Sequence, residues 1–407
     1  MTAPELFNPY QQGFAANPYP TYARLREHNP IFHSAEFGLT FFTRYRAIAN
    51  LLSDKRLGRT LSHVVGAEEQ AEKRRQENWQ ETPAYSRFVR ANLLETEGPD
   101  HVRLRRLLAR AINARRIGGL RRRIELLVDE LLDGVADQKE IDFMAELAVP
   151  LPVHVIAEML GWPAAKRHRL RPWSADIVRL YEKDHSAEDV LRAETATAEF
   201  AGMLGELADR RRDDPKDDLI SAFTSLESDG DTLSRDELIA SCMMLLNAGH
   251  EAVVNSAGNG LLALLRHPDQ KRKLGQDPSM IRTAIEEMLR YDSPLQFFHR
   301  FALEDMEFGG FKFRKGDTLG LLYGSANRDP AAFEHADTFD IARDPNHHLA
   351  FGLGPHFCLG SPLARLELEI LFSKLLRRFP DIQLVDEQPR YRTGLVFRGL
   401  QQLRVRL

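Results

Sequence analysis

Apolar positions three and four apart recur along most of the chain, and that spacing predicts a mainly α-helical protein with a small β-rich part. Residues 19–28, YPTYARLREH, read as a short helix that ends at Asn29-Pro30. Residues 31–43, IFHSAEFGLTFFT, alternate apolar and polar side chains, which suggests a small hairpin. A long charged segment lies between Leu61 and Leu94 and includes AEEQAEKRRQEN, the pattern of a solvated helix or loop. Pro99-Asp100 is a helix-start signal, and a basic helix follows it. Residues 120–232 form successive amphipathic helices punctuated at Pro150, Pro152, Trp162-Pro163 and Asp214-Pro215. No repeat of fixed period and no Gly/Ser-rich linker divides them, so a single domain over 1–407 is expected.

Ser234 followed three residues later by Glu237 reads as a capping box. The helix it opens runs to about His267, where Pro268 stops the pattern, giving a length of about 50 Å at 1.5 Å per residue. Its middle, LLNAGHEAVVN, sets a small pair, Ala248 and Gly249, beside Glu251, a charge in otherwise apolar surroundings. A buried charge is costly without a partner or a purpose. Residues 280–291, MIRTAIEEMLRY, form a helix by spacing and carry Glu287 and Arg290 three apart. The run LQFFHRFAL after Pro294 is extended, so alternate members share a face. TGLVFRG near the C-terminus has a strand–turn composition.

The stretch Phe351–Gly360, FGLGPHFCLG, places Cys358 among Gly352, Gly354, Gly360 and Pro355. Glycines let the backbone approach a ligand and turn with positive φ. Ser361-Pro362 then opens a strongly helical run, so the cysteine sits just ahead of a helix N-terminus. Inward-pointing N–H groups and the partial positive charge of that terminus both favour a thiolate, the metal-binding form of the side chain. A small buried cysteine is the bland alternative. Zinc is a poor fit, because His347, His348, His356 and Cys358 lack a second ligand pair.

Composition narrows the class. With 43% hydrophobic and 28% charged residues over 407 positions, the chain is globular and can bury a large core. A formal charge of −4 marks neither a nucleic-acid binder nor a membrane-surface binder. Two cysteines in unlike contexts, Cys242 in an apolar helix and Cys358 in the loop, make no disulfide framework and suit a reducing cytoplasm. The N-terminal MTAPELFNPYQQGF has neither an apolar signal core nor a spanning helix.

Phe351, Gly354, His356, Cys358 and Gly360 fill Phe-x-x-Gly-x-His-x-Cys-x-Gly, which resembles the haem-binding loop of the cytochrome P450 monooxygenases. The resemblance extends, in family order, from His101 through the helix after Cys358 and implies the P450 fold around one non-covalent haem b. Cys358 would be the axial iron ligand, whose thiolate pushes electron density onto iron and favours O–O cleavage. The haem propionates would be held by His101, Arg105, Arg300 and His356, with Phe351, Gly352 and Gly360 shaping the cofactor loop. Glu287, Arg290 and Arg343 match a structural brace for that loop. Leu245, Leu295, Gln296, Phe298, Leu395 and Val396 hold positions that line the family's substrate pocket, and the segment 61–95 those of its lid. The family also implies a small to medium apolar substrate, dioxygen, electrons from a ferredoxin and its reductase, and a monomer of the soluble bacterial type. Part of the arginine-rich stretch from Arg103 to Arg123 would dock the acidic redox partner.

One position departs from the pattern. Ala248, Gly249 and Glu251 match the family's Ala-Gly-x-Glu/Asp-Thr segment, but Ala252 replaces the alcohol. Alanine has no hydroxyl to hold a relay water. The substrate could supply the hydroxyl, Asn255 or Ser256 one turn on could order water, or the chemistry could differ from simple hydroxylation. A peroxide-using haem enzyme of the same fold and a non-catalytic haem or ligand binder are the alternatives.

Overall fold

The computed structural model describes residues 7–407 apart from 77, 78, 91, 183, 184 and 229. It is mainly helical, as the apolar spacing predicts. Two compact units share the chain: residues 1–57, 122–152 and 251–407 form the first, and 58–121 with 153–250 the second. Among the described residues no helix is long and apolar enough to cross a membrane.

The first unit holds the principal β-sheet. Ile31–Ser34 and Leu39–Phe42 form the antiparallel hairpin foreseen from the alternation at 31–43, with Phe32 opposite Phe41. Thr318–Leu322 adds parallel to Leu39–Phe42, and Phe297–Ala302 adds antiparallel to it, Arg300 opposite Leu319. Gly320 is required where three strands meet, because a Cβ there would lie 2.5 Å from Leu39 Cδ1 and 2.8 Å from Phe41 Cδ1. One face of the sheet packs Phe7, Tyr22, Phe32, Phe41 and Phe297 into an aromatic cluster. The other covers Ile48, Leu51, Leu52, Leu319 and Leu321. Three helices complete the frame for the site: Ile281–Tyr291, Ser361–Arg378, and the C-terminal part of Arg235–Arg266.

The second unit contains the basic helix Gly98–Ala111, the helix Ala67–Gln76 in the charged segment, and the paired helices Leu170–Arg179 and Ala187–Asp213. Trp162, Trp173 and Phe200 meet at ring-centroid distances of 5.3 to 6.1 Å and pin that pair. The capping box predicted for the longest helix is present: Glu237 N–H donates to Ser234 Oγ at 3.2 Å, and Ser234 N–H to Glu237 Oε2 at 2.8 Å. Charge in the basic stretch is partly neutralised, since Arg103 pairs with Glu237 and Arg106 with Asp231.

Candidate functional site

Cys358 stands in a loop built for close turns. Gly352 and Gly354 adopt φ of +69° and +75°, in the left-handed region that favours glycine. The Cys358 N–H donates to Phe351 O at 3.0 Å, Phe357 N–H to Gly354 O at 3.0 Å, and Gly352 N–H to Leu349 O at 2.9 Å. The helix Ser361–Arg378 then begins with proline in its first turn. Cys358 is half-buried, whereas Cys242 is fully buried and its thiol is pushed well up by burial. Of the two, Cys358 is the one able to present a thiolate.

Gly354 has two reasons to be glycine. Besides its φ, a Cβ would lie 2.3 Å from the Leu52 carbonyl oxygen. At Gly352 the nearest atoms to a built Cβ are 3.8 and 3.9 Å away. Gly352→Ala should therefore cost backbone strain alone, about 1–3 kcal/mol. Gly354→Ala adds a backbone clash and should cost clearly more, read as a larger fall in denaturant midpoint; equal losses would refute this account of the loop.

Glu287, Arg290 and Arg343 meet in one cluster. Arg290 and Glu287 are fully buried and joined by two bonds, Nε–Oε2 at 2.7 Å and Nη2–Oε1 at 2.8 Å. Arg290 also donates to the carbonyls of Asn327, Ala336 and Thr338. Arg343 Nε reaches Glu287 Oε2 at 3.1 Å, and the carboxylate further accepts from Asp340 N–H and Asn346 Nδ2. Asn327 Oδ1 accepts Leu349 N–H at 2.7 Å, so the brace connects directly to the segment that leads into the cysteine loop.

On the helix Arg235–Arg266, Leu245, Ala248, Gly249 and Ala252 fall on one face by their spacing. None of them is buried, although Met243, Met244, Leu246, Val253 and Val254 around them are. Gly249 also has a packing reason, because a Cβ there would lie 2.9 Å from Ile156 Cδ1. Glu251 is not an isolated charge. Arg392 Nη2 donates to its Oε2 at 3.2 Å and to Asn255 Oδ1 at 2.8 Å. The C-terminal segment approaches closely enough for this because position 399 is glycine; a Cβ there would lie 1.9 Å from Asn255 Oδ1. The two residues offered in place of the missing alcohol now separate. Ser256 Oγ donates to Ala252 O at 2.7 Å, whereas Asn255 Nδ2 is buried with no hydrogen-bond partner among the described residues.

The remaining sites divide between the units. His101 is buried and Arg105 half-buried, one turn apart on Gly98–Ala111 in the second. Arg300, buried on its strand, and half-buried His356 belong to the first. Leu295, Phe298 and Val396 are half-buried. Gln296 instead serves the core: it is buried, its Oε1 accepts from Tyr22 Oη at 3.0 Å, and its Nε2 donates to Ser293 O at 2.7 Å. Leu395 is buried in the aromatic cluster as well. Arg392 carried no local sequence signal, since it meets Glu251 from 141 residues away.

The residues present fit haem b. A Cβ built on Gly360 would lie 3.9 Å from the Cys358 sulfur, so the glycine keeps a side chain away from the thiol. By chemistry, a half-buried cysteine in a glycine loop ahead of a helix start is the donor a thiolate-ligated porphyrin needs, and His101, Arg105, Arg300 and His356 are donors of the kind its carboxylates need.

Comparison with known proteins agrees. The cytochrome P450 family model matches residues 177–399. The polyketide biosynthesis cytochrome P450 PksS of Bacillus subtilis (strain 168) is 38% identical, covering 99% of this chain and 98% of that protein. Its solved structure superposes with a TM-score of 0.89 over 98% of this chain and 99% of the other. The 6-deoxyerythronolide B hydroxylase of Saccharopolyspora erythraea is 37% identical over 100% of this chain and 99% of its own. P450BioI, solved in complex with an acyl carrier protein ligated with hexadec-9Z-enoic acid, is 35% identical, with a TM-score of 0.89 over 97% of this chain and 99% of the other. The chain belongs to the cytochrome P450 family.

Proposed function

We propose that the protein hydroxylates a small to medium, largely apolar organic molecule, drawing two electrons from a ferredoxin and its reductase, and that residues 1–407 work as one haem domain. The family's members are haem-thiolate monooxygenases. The observation that carries the reading is the half-buried Cys358 in a loop with two left-handed glycines, just ahead of a helix start. Haem b bound there supplies the activation of dioxygen.

The chain's own residues have four tasks. Cys358 would be the thiolate ligand, and its place ahead of the helix Ser361–Arg378 favours the anion. His101, Arg105, Arg300 and His356 would hold the propionates through charge-assisted hydrogen bonds. Leu245, Ala248, Gly249 and Ala252 leave room for substrate along the helix. Glu251 passes protons. Its carboxylate is held by Arg392, so delivery requires that ion pair to open, and Arg392 at 44% side-chain exposure can swing into solvent. With Ala252 lacking a hydroxyl, Asn255 Nδ2, which has no hydrogen-bond partner among the described residues while its Oδ1 accepts from Arg392, is the group suited to hold the relay water. Ser256, already bonded to its own helix, is not.

Substrate class follows the relatives only in outline. PksS is named for polyketide biosynthesis and P450BioI was solved with a carrier-bound fatty acyl group, and long apolar chains or macrocycles suit the apolar positions Leu245, Leu295, Phe298 and Val396. The test is a spectral titration of the ferric protein against such compounds, followed by turnover. A binder that displaces iron-bound water should shift the spin state, and ferredoxin, reductase and NAD(P)H should then support product formation. Turnover with hydrogen peroxide alone at an equal rate would replace the monooxygenase reading with the peroxide-using one. Substrate-independent inertness with both would leave a haem-binding protein. Asn255→Leu should lower the fraction of NAD(P)H consumption that yields product, whereas Ser256→Ala should leave it near the parent value.

A further inference from the structure

Two adjacent glutamates stand on the helix Ile281–Tyr291, and the brace uses only the second. Glu286 is engaged by the helix that follows the cysteine. Arg365 Nε donates to Glu286 Oε1 at 2.6 Å and Nη2 to Oε2 at 2.8 Å, the planar fork that matches a carboxylate. His348, 2% exposed, lies with Nε2 3.1 Å from Glu286 Oε2. Its Nδ1 accepts the Ala350 N–H at 3.2 Å, so the ring proton is on Nε2 and is donated to the carboxylate. Burial alone would raise the Glu286 carboxyl, but hydrogen bonds and charge from its partners Arg365 and His348 outweigh it and bring it down to about 2. The carboxyl is therefore ionised at any working pH.

Its second contact points at the ligand loop. The Arg365 guanidinium carbon lies 4.4 Å from the centroid of the Phe351 ring. Phe351 is the residue whose carbonyl accepts the Cys358 N–H. His348 secures the other side of Phe351 through the preceding amide, that of Ala350. A matched charge pair thus sits against the loop, with an aromatic ring keeping water from part of it. In such half-buried surroundings a single charge acts through an effective dielectric far below that of water, whereas two opposite charges in contact nearly cancel at a distance.

We propose that Glu286 and Arg365, oriented by His348, are positioning residues that fix the charge balance at Cys358 and so tune the reduction potential of the bound haem. The proposal rests on the reading of Cys358 as the iron ligand. It assigns the two neighbouring glutamates different work: Glu287 holds the backbone, and Glu286 offsets a guanidinium beside the thiolate loop.

The sign of the effect distinguishes this from simple loosening. Glu286→Gln leaves the guanidinium uncompensated, which favours the electron-richer ferrous state, so the potential of the haem-loaded protein should rise. Arg365→Gln leaves the carboxylate uncompensated and should lower it. The double variant should return near the parent, and Arg365→Lys, which keeps the charge without the fork, should stay closer to the parent than Arg365→Gln. Potentials measured by dye-mediated titration, with the ferrous carbon monoxide spectrum recorded on the same samples, decide it. Single variants that move in the same direction, or a Glu286→Gln that does not move, would overturn the proposal. If Arg365→Gln fails to load haem, Glu286→Gln and Arg365→Lys suffice, because only the first should shift. A parent spectrum without the thiolate band would instead remove the underlying assignment of Cys358.

Discussion

Glu287→Gln should be the most destabilising single change in the chain that leaves its volume intact. The substitution removes one charge and keeps the shape, yet it leaves Arg290, fully buried, and Arg343, 12% exposed, without their shared anion. Breaking a buried ion pair by removing one partner costs about 3–5 kcal/mol, because the remaining charge stays desolvated. A whole domain's stability is about 5–15 kcal/mol, so much of it would be lost. Arg290→Lys should also cost heavily: the guanidinium makes five bonds, and an ammonium on a shorter reach cannot serve the carbonyls of Asn327, Ala336 and Thr338 together with the carboxylate. Arg343→Lys should cost less, since Arg343 is partly solvated and makes one bond to Glu287. Denaturant unfolding of the haem-free proteins orders the three. A Glu287→Gln within about 1 kcal/mol of the parent would mean that the brace is not structural.

What could be read from the chain beforehand was whatever is local. The capping box at Ser234 and Glu237, the helix starts at Pro99 and Pro362 and the hairpin at 31–43 are each specified by neighbouring residues, and each is present. The cysteine loop is legible for the same reason, its three glycines and its cysteine lying within ten consecutive residues. The contacts that escaped are long-range. Leu39–Phe42 pairs in parallel with Thr318–Leu322 across most of the chain, and β-pairing of that kind leaves no spacing signal. Glu251 reads as an unpartnered charge because Arg392 arrives from a distant segment. Gln296 alternates correctly for a pocket residue, but strand spacing cannot say whether Tyr22 and Ser293 will claim its amide. Glu286 and Glu287 are indistinguishable in sequence, and only the packing of two helices separates their partners.

Replacing Cys358 should separate fold from function more cleanly than any other change. The loop is held by backbone bonds, Cys358 N–H to Phe351 O and Phe357 N–H to Gly354 O, and by the two left-handed glycines; none of these depends on the sulfur. Cys358→Ser and Cys358→His should therefore keep the haem-free unfolding midpoint close to the parent, a cost within about 1 kcal/mol for a half-exposed position away from the core. The spectrum should change completely. A serine cannot present a soft anionic sulfur, and an imidazole ligand gives iron no comparable push toward O–O cleavage. The reduced carbon monoxide complex of either variant should lose the band of a thiolate-ligated haem. Ferredoxin-driven turnover should fall about 100-fold or more, about 2.7 kcal/mol on the barrier. Cys242→Ser, in a helix where burial keeps the thiol protonated, should do the reverse: the band persists, while a polar hydroxyl in an apolar core costs stability. If Cys358→His retained the parent's carbon monoxide spectrum, the sulfur would not be the iron ligand, and neither the proton route through Glu251 nor the charge pair beside the loop would have a metal to act on.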